Sequence, residues 1–569
     1  MRVSRREFAK TAAAALVAPA ISASSAACLC DGANEKPHAG AIPPKKAGPG
    51  QMGKPLNPLR LRDGDLRNYI RCGVDHIYRG AIDDRQGWLP FSGFNLTGSA
   101  AGAHHGVGGC PHVVGRFLDA LAQSSEIVAI PPDEEADNGL RILLHNSLHN
   151  PWGFAFDLWP GTDGRRFAMM HDCREVLLGL VGLIRWKRCR RSAALAKQFI
   201  RTIDAATRGT GMFPSSYLYT NGWGKPGESQ INSTTGRLVG ALVQYYRATN
   251  DNLAVDLAKR FAEINIKKTF TAEGDLTALA GHHLHSTEGT MTGLMDLAVL
   301  TGEKQYFELG KRLYDGGLRR WRTSFGWAKE GRDLNQGRGE ANNTGDFIEA
   351  ALILGLDGHG EYFRDAECMI RNGLLAAQII NTDWIPQSAM KDTDECVYSH
   401  IRRRAEGAFA FTMPNSYAAY NTDLMGGALQ SLCNAYRAIA TSRDGACRVN
   451  MLFSADFDYL RIRSHLPESG RVEIESKAAC DLSVRVPHWA DPTTLRLHVN
   501  AQARPIHLET GQLAIGPVPK ATRIEIVFEQ AHYRTQEFAP GFATPYEISW
   551  VGDTIVSMTP IDRGGIPLY

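Results

Sequence analysis

Residues 236–264 read GRLVGALVQYYRATNDNLAVDLAKRFAEI, and this stretch decides the fold. An apolar helix that opens on a glycine, a short turn and a second, amphipathic helix together predict a helical hairpin. The same pattern recurs at residues 177–203, 292–318 and 345–375, and shorter copies begin near residues 107 and 426. Self-similar units at such spacings are typical of a helical repeat architecture.

The repeat predicts six hairpins, which open near residues 107, 177, 236, 292, 345 and 426. Each hairpin leaves an apolar face that only its neighbours can cover, and closing the row into a ring removes the two exposed ends. The sequence therefore predicts an (α/α)6 toroid over residues 59–445. An open solenoid or an irregular helical domain is the alternative.

After residue 448 the pattern changes to strict alternation of apolar and polar residues. It is clearest in RVEIES (471–476), DLSVRVP (481–487), LRLHVN (495–500) and RIEIVF (523–528). Short alternating runs separated by Pro, Gly and Asn predict an antiparallel β-sandwich, which we assign to residues 446–569. The predicted fold class is mainly α with a C-terminal β domain that buttresses the toroid, and a carbohydrate-binding role for that domain stays open.

The N-terminus has the features of an export signal. SRREFAK at residues 4–10 is followed by an apolar, alanine-rich run and by small residues before Cys28. This order predicts a twin-arginine signal peptide over residues 1–30, and hence a protein exported in folded form to the periplasm or beyond. Cys28 is a candidate lipid anchor. Residues 31–58 are rich in Pro, Gly, Ala and Lys, which predicts a disordered linker.

The composition excludes several classes of partner. A net charge of +3 with 22% charged residues leaves no basic stripe for nucleic acid. No other stretch reaches the roughly 18 apolar residues that a membrane span needs. The 11 cysteines include no CxxC pair, so a zinc ribbon is unsupported and most are predicted to be free thiols, with one or two disulfides left open.

Polar segments stand just before the first helix of each hairpin. They read HHG (104–106), HDCRE (171–175), NST (232–234), HHLHSTE (282–288), EANNTGD (340–346) and YNTD (420–423). The inner helices of a toroid all run the same way, so these segments are expected to meet at one end. Part of the Ser, Thr and Asn content is explained by helix capping, whereas histidine and glutamate need another reason.

Carboxylates in these segments point to glycoside hydrolysis, which uses one protonated and one ionised carboxyl group. Glu330 lies beside Trp327 in FGWAKEGRD, where apolar surroundings would raise its pKa as a general acid requires. Asp346 opens an inner helix, whose dipole would hold it ionised. The catalytic candidates are Glu330, Glu340, Asp346 and Asp423. The substrate-binding candidates are His171, Asp172, His283, His285, Glu288, Trp327, Asn342, Asn343, Tyr420 and Asn421.

Three further readings of the same residues stay open. His282, His283 and His285 are potential metal ligands, but no spacing fixes a fourth ligand, so we predict neither a metal nor another cofactor. A polysaccharide lyase would use Tyr420 or His285 as its base. A non-catalytic glycan-binding protein is the third alternative. In every case the expected partner is a carbohydrate.

Three motifs resemble glycoside hydrolase family 127, the β-L-arabinofuranosidase-like proteins. They are REVLLGL (174–180), HSTEGTMTGLMDLAVLTGEKQYF (285–307) and LSVRVPHWADPTTLRLHVNAQ (482–502), and the resemblance spans about residues 160–530. It implies an α/α toroid followed by β-sandwich modules. The position of the family's acid/base glutamate is matched best by Glu330.

The resemblance also implies a zinc site built from a Glu-Thr-Cys segment and a Cys-Cys pair, with one cysteine as nucleophile. The corresponding segments here read Asn343-Thr344-Gly345 and Tyr420-Asn421 and supply no thiolate. We therefore predict that the protein works without zinc. If zinc were nevertheless present, His283, His285 and Cys396 would be the ligands to test first.

Overall fold

The computed structural model describes residues 64–131, 133–159, 164–214, 217–219, 222–223, 231–333, 337–562 and 566–569. The predicted signal peptide, the linker and Cys28 lie outside these residues. The helices are α1 Leu66–His76, α2 Val114–Ser125, α3 Glu134–Ser147, α4 Cys173–Lys187, α5 Arg190–Thr207, α6 Arg237–Thr249, α7 Asn252–Thr269, α8 Leu284–Thr301, α9 Lys304–Asp315, α10 Ala341–Leu356, α11 Tyr362–Met369, α12 Ile401–Ala405 and α13 Leu424–Ala438.

The hairpin at residues 236–264 shows how the sequence sets these bounds. Helix α6 ends because Asn250 takes a left-handed backbone conformation, with φ of 58°, and its N–H bonds the carbonyl of Tyr246. The next residue, Asp251, caps α7 by accepting a hydrogen bond from the backbone N–H of Leu253. An Asn-Asp pair therefore stops one helix and starts the next.

Six helices form the inner layer of a ring. Helices α2, α4, α6, α8, α10 and α13 contact one another in this order, and α13 returns to α2. Helices α3, α5, α7, α9 and α11 each pack on an inner neighbour, while α1 packs on α13. The six units predicted from the repeat thus correspond to the six inner helices.

Glycines let the inner helices approach closely. A Cβ atom on Gly179 of α4 would lie 2.7 Å from the Cα of Gly115 on α2. On the next part of the ring, a Cβ on Gly293 of α8 would lie 2.8 Å from the backbone nitrogen of Gly240 on α6. Both distances are shorter than real contacts allow, so a larger residue at either position would push two helices apart.

The strands are β1 Ile82–Asp83, β2 Leu89–Pro90, β3 Gly93–Asn95, β4 Gly102–His104, β5 Phe167–Met169, β6 Tyr217–Tyr219, β7 Gly222–Trp223, β8 Cys396–Val397, β9 Phe411–Met413, β10 Ser416–Asn421, β11 Ala440–Arg443, β12 Ala446–Val449, β13 Ala455–Asp456, β14 Leu460–Ser464, β15 Arg471–Ser476, β16 Cys480–Arg485, β17 Arg496–Val499, β18 Gln502–Arg504, β19 Leu508–Glu509, β20 Gln512–Val518, β21 Arg523–Val527, β22 His532–Glu537, β23 Tyr546–Val551, β24 Thr554–Thr559 and β25 Ile566–Pro567.

The C-terminal strands form a five-stranded sheet in the order β11-β12-β16-β20-β19 and a six-stranded sheet in the order β13-β14-β15-β21-β17-β18. The four alternating runs found in the sequence fall on β15, β16, β17 and β21. One pairing departs from the predicted antiparallel pattern, because β12 and β16 run parallel. The first of these strands begins at Ala440, ahead of the expected boundary at residue 446.

A buried ion pair joins the helical ring to the strands. Glu367 on α11 accepts a hydrogen bond of 2.7 Å from Arg371 and another from Arg485 on β16. Because both elements contribute to one continuous apolar core, the strands are packed against the ring as the sequence suggests. Among the helices that the structure describes, none combines the length and apolar character needed to cross a membrane.

Candidate active site

The N-terminal ends of the inner helices meet at one end of the ring. Their first turns bring together Arg116 of α2, Glu175 of α4, Arg237 of α6 and His285 of α8. Asp346 of α10 contacts His285 in the same cluster. Helix N-termini carry partial positive charge, so their convergence favours carboxylates and other anionic groups at this end.

Arg116 links two histidine–carboxylate pairs. Its Nη2 lies 2.9 Å from Nε2 of His285, and its Nε lies 3.4 Å from Nε2 of His112. A guanidinium only donates, so both Nε2 atoms accept and the proton of each ring resides on Nδ1. The Nδ1 atoms lie 2.5 Å from Oδ2 of Asp346, for His285, and 2.9 Å from Oδ1 of Asp172, for His112.

Glu175 is the charge partner of three arginines. Its Oε1 accepts from Arg174 at 2.9 Å, lies 3.2 Å from Nη2 of Arg116, and accepts a third bond from Arg237. Burial alone would raise the pKa of Glu175, but the guanidinium groups of Arg237, Arg116 and Arg174 together hold it well below the ordinary range. Glu175 is therefore an ionised anchor that fixes the arginines beneath the site.

Three histidines of the site, His171, His283 and His285, are held neutral. Burial lowers the pKa of His285 well below its ordinary value, and Arg116 and Arg237 add to the effect. Burial and Arg237 do the same for His171, and burial lowers the pKa of His283 to about 4. Neutral imidazoles are suited to hydrogen bonding with hydroxyl groups or to accepting a proton.

Of the four histidines His112, His171, His283 and His285, His283 is the one with a ring nitrogen that has no partner among the described residues. His112 and His285 use both nitrogens, and His171 contacts the carbonyl of Ser233 at 3.0 Å and the guanidinium of Arg237. Nδ1 of His283 lies 2.8 Å from Oγ of Ser286, whereas its Nε2 has no partner among the described residues. His283 is half-buried, so this nitrogen is the imidazole group best placed to meet a ligand.

Glu340 and Asp423 form a pair of neighbouring carboxyl groups in different environments. Glu340 is 7% exposed, and burial raises its pKa well above the ordinary value, with Asp423 and Glu330 adding to the rise. The Asp423 side chain is 23% exposed, and its Oδ2 accepts from Nδ2 of Asn342 at 3.4 Å and lies 3.9 Å from Nε2 of His112. One carboxyl is thus protonated and sheltered, and the other is partly solvated.

Several residues expected to bind substrate are instead sealed in the protein. Glu288 and Asn343 are 0% exposed and Tyr420 is 1% exposed, so none of them faces solvent. The Tyr420 ring stacks on Phe94 with centroids 4.4 Å apart. Trp327 is 3% exposed and donates from Nε1 to the carbonyl of Thr412 at 2.9 Å, so it is a core residue.

Two catalytic candidates have environments that differ from those expected. Glu330 does not stand in apolar surroundings, because Arg338 donates to both of its carboxylate oxygens at 2.5 and 2.7 Å. Asp346 was expected to be ionised by the helix dipole, yet burial raises its pKa well above the ordinary value and Arg174 and Arg116 only partly oppose this. Asp346 is therefore a buried hydrogen-bond partner of His285.

The remaining candidates lie at the site in distinct roles. Asp172 is buried and orients His112, and Asn342 is buried and orients Asp423. His171 is half-buried and contacts the guanidinium of Arg237. Asn421 is exposed at the end of β10. His104 and His105, from the first polar segment, point to opposite faces, and His105 makes a buried pair of 3.1 Å with Asp83 away from the cluster.

Sequence reasoning missed His112, Arg116 and Arg237 as site residues. All three lie within one turn of an inner helix start, inside runs that otherwise read as apolar. The available signal is that Arg116 and Arg237 each follow a glycine on a helix whose other residues are predicted to be core. An arginine in that position requires a buried anionic partner.

The residues present do not fit the zinc site of the resembling family. In the part of the chain that the structure describes, no group of three or more His, Cys, Asp or Glu side chains is arranged to hold a metal ion. The two segments that would supply thiolates carry Asn343 and Tyr420, both turned into the protein, and the amide nitrogen of Asn342 donates to Asp423.

The fold is that of the α/α-barrel glycosidases. A GH127 β-arabinofuranosidase structure superposes with a TM-score of 0.57 at 14% identity, covering 86% of this chain and 78% of that one. A GH127 β-L-arabinofuranosidase from Geobacillus stearothermophilus T6 gives a TM-score of 0.54 at 13% identity, covering 86% and 80%. A third structure, described as a glycoside hydrolase, gives 0.54 at 13% identity, covering 84% of each chain.

The family resemblance is confirmed in the centre of the chain. Residues 192–380 match the sequence model of the β-L-arabinofuranosidase GH127 catalytic domain. No curated protein matches the chain by sequence. Together, the family match and the fold support the prediction of a glycoside hydrolase.

Proposed function

We propose that this protein is an exported glycoside hydrolase that cleaves poly- or oligosaccharides with Glu340 as general acid and Asp423 as its carboxylate partner. The helical ring would be an (α/α)6 toroid and the two C-terminal sheets a β-sandwich. The observation that carries the proposal is the carboxyl pair itself. Burial and the neighbouring Asp423 raise the pKa of Glu340, while Asp423 is partly exposed to solvent.

This division of environments suits the chemistry of glycosidic cleavage. A general acid has to be protonated near neutral pH in order to donate to the leaving oxygen, and burial beside another carboxylate keeps Glu340 protonated. The partly solvated Asp423 would then act as the base that activates water or as the nucleophile. Asn342 donates to one oxygen of Asp423, and the other has no hydrogen-bond partner in the part of the chain that the structure describes.

Neutral imidazoles would orient the sugar. The Nε2 atom of His283 is available to a hydroxyl group, whereas His112 and His285 have both ring nitrogens engaged. The same engagement argues against a lyase, because His285 cannot take up a proton without losing a contact to Arg116 or Asp346. Tyr420, the other candidate base, is 1% exposed.

The test is a screen of the purified protein against plant, algal and bacterial glycans, with β-L-arabinofuranosides included because two structural relatives are named for that activity. Products are separated by chromatography and examined for reducing ends and for unsaturated uronates. Saturated reducing ends that vanish in Glu340→Gln are the expected result. Unsaturated products would replace the proposal by the lyase, and binding without turnover would replace it by a glycan-binding protein.

Export is tested separately. A fusion of residues 1–63 to a reporter that folds in the cytoplasm should reach the periplasm in a host with an active twin-arginine translocase. Replacing Arg5 and Arg6 by lysine should abolish this transport. Unchanged transport by the lysine variant would contradict the assigned route without affecting the assignment of activity.

A further inference from the structure

The outward face of α5 carries a concentration of positive charge. Residues 176–203, which cover most of α4 and α5, contain seven Lys and Arg residues and no Asp or Glu. The whole chain has a net charge of only +3, so the other residues together are net negative and the average conceals this segment. The absence of a basic stripe, which was expected from that average, therefore does not hold for α5.

The helical repeat brings these side chains to one face. Arg190, Lys197 and Arg201 are seven and four residues apart, and such spacings place side chains on the same side of a helix. Phe199 is among the residues buried on the opposite side. The exposed basic residues, here called the α5 stripe, are Arg188, Arg190, Arg191, Lys197 and Arg201. At 1.5 Å per helical residue the stripe is about 20 Å long.

No exposed carboxylate of α5 offsets this charge. The one acidic residue of the helix, Asp204, is 9% exposed and accepts from Arg208 at 2.5 Å and from Arg260 at 2.9 Å. The outer helices α3, α7 and α9 differ from α5, because each presents an exposed acidic residue, namely Glu134, Glu263 and Glu308. Fixed charge of one sign on an exposed surface attracts a partner of the opposite sign.

Two tryptophans lie next to the α5 stripe. Trp186 is half-buried in the last turn of α4, two residues before Arg188. Trp152 is half-buried in a loop that packs on α5, where a Cβ on Gly153 would lie 2.6 Å from Oγ1 of Thr202. Tryptophan is enriched where proteins meet the headgroup region of a bilayer, because its ring is apolar and its N–H is polar. Basic residues beside tryptophan are typical of a surface that lies on a membrane.

We propose that the α5 stripe binds the surface of a bilayer that contains anionic phospholipid. A bilayer fits better than a single polyanionic chain, because the outer side of a helix is convex whereas ligand sites are concave. Since α5 belongs to the outer layer of the ring, a bilayer on the stripe leaves open the end at which the inner helices begin. The inference goes beyond the proposed function and holds whichever bond the protein cleaves.

The first test measures binding of the full chain to sedimented vesicles. Vesicles of phosphatidylcholine with about 30% phosphatidylglycerol are compared with pure phosphatidylcholine. All proteins carry Cys28→Ser, so that no lipid anchor contributes. Combining Arg188→Gln, Lys197→Gln and Arg201→Gln should weaken binding to the anionic vesicles about a hundredfold, because each basic residue near the surface contributes about fivefold.

The matched control combines Lys304→Gln, Lys391→Gln and Lys520→Gln, which removes the same charge at exposed positions outside α5. It should weaken binding less than about threefold, because charges more than a Debye length from the bilayer are screened. Raising the salt from about 0.1 M to about 1 M should abolish binding of the wild type, since the Debye length falls from about 10 Å to about 3 Å. Equal weakening by both triple variants, or equal binding to both kinds of vesicle, would overturn the proposal.

A second readout locates the contact directly. Acetylation of lysine side chains by an N-hydroxysuccinimide ester is followed by peptide mass spectrometry, with and without the anionic vesicles. The vesicles should slow acetylation of Lys197 at least about fivefold and leave Lys304 and Lys520 unchanged. Unprotected Lys197 in vesicle-bound protein would show that another surface holds the bilayer, which would contradict the proposal.

Two soluble anions separate a bilayer from other partners. Polygalacturonate, an acidic polysaccharide, and inorganic phosphate are each tested for protection of Lys197, and we expect neither to protect it as the vesicles do. Protection by polygalacturonate but not by vesicles would replace the bilayer by an acidic glycan, and protection by phosphate alone would leave only an ion site. Neither result would affect the assignment of activity, because no residue of the α5 stripe belongs to the candidate active site.

Discussion

Nη2 of Arg116 lies 2.9 Å from Nε2 of His285, and the lone pair of that nitrogen points at a group that only donates. The contact fixes the tautomer of His285 and turns its Nδ1 proton towards Asp346. The same guanidinium acts on His112 from the other side. One arginine therefore orients two histidine–carboxylate pairs, and its removal should disturb both.

We expect Arg116→Met to lower turnover by about tenfold to a hundredfold, because misplacing site groups by an ångström has effects of that order. The pKa of His285 should rise, since Arg116 is one of the charges that lower it. Arg116→Lys keeps the positive charge but cannot donate to His112 and His285 at the same time. In this variant the pKa of His285 should therefore stay close to its wild-type value, whereas turnover should remain reduced. The measurements are steady-state kinetics and histidine NMR titration. Unchanged His285 titration in Arg116→Met would contradict the role.

Glu340→Gln and Asp423→Asn should each lower kcat by at least about a hundredfold, the usual contribution of a general acid or base. Glu330→Gln is the matched control, because that glutamate is engaged with Arg338. We expect it to change kcat by less than about tenfold. The measurement is kcat on the best substrate of the panel across pH 4–9, and the acid variant should lose the alkaline limb of the profile.

A hundredfold loss in Glu330→Gln together with near-wild-type rates in Glu340→Gln would reverse the assignment. The resemblance to the GH127 family favours Glu330, whereas the environment of Glu340 favours that residue. This pair of variants therefore decides between the two arguments directly.

Glu288 should make the protein less stable as pH rises. Burial raises its pKa well above the ordinary value, and Asp346 and Glu340 add to the rise. At pH values between the pKa of Glu288 in the unfolded chain, about 4.3, and its higher pKa in the folded protein, the folded state binds one proton more than the unfolded state. The free energy of unfolding is therefore highest below this pH range and falls as pH rises through it. Glu288→Gln removes this dependence.

The measurement is urea unfolding of wild type and Glu288→Gln at pH 4.5 and pH 8. The free energy of unfolding of the variant, relative to wild type, should increase with pH. Glu509→Gln, at an exposed position on β19, should show no such trend. A relative stability of Glu288→Gln that stays flat between the two pH values would mean that Glu288 ionises freely.

Chelation should leave activity intact. The segments that correspond to the thiolate ligands of the resembling family carry no cysteine, and thiolates are the ligands that hold structural zinc most tightly. Dialysis against EDTA should change kcat by less than about twofold. Loss of activity that zinc alone restores would refute this and make His283 the first ligand to replace.

Periodicity predicted the architecture well because it is a local signal. The run of hairpins gave the positions of the inner helices, and alternation gave β15, β16, β17 and β21. The site was harder to predict because it depends on side-chain direction. In the sequence Tyr420 and Asn421 belong to one polar segment, yet they lie on a strand, where consecutive side chains point to opposite faces. Tyr420 enters the core and Asn421 faces solvent.

Arg116 and Arg237 illustrate the second difficulty. An arginine within an apolar helix reads as a surface residue until its partner is known, and Glu175 comes from another helix more than fifty residues away. No spacing rule links residues that meet only after the ring has closed. Glu330 is a local case, because its partner Arg338 follows eight residues later in the chain and takes the place of the apolar surroundings expected from Trp327.

Ring closure brings together α2 and α13, two helices that the ribosome synthesises at widely separated times. Arg437 of α13 donates to the backbone carbonyl of Gln123 on α2 at 3.2 Å, across 314 residues of sequence. Contacts of such range form late, because the intervening chain must be ordered first. Asp423 stands at the start of that last helix, so a ribosome-bound chain that has not yet delivered α13 lacks one of the two proposed catalytic carboxylates. A chain that ends before α13 would therefore lack both the closing helix of the ring and the proposed carboxylate pair, so it could not cleave a glycan by the proposed mechanism.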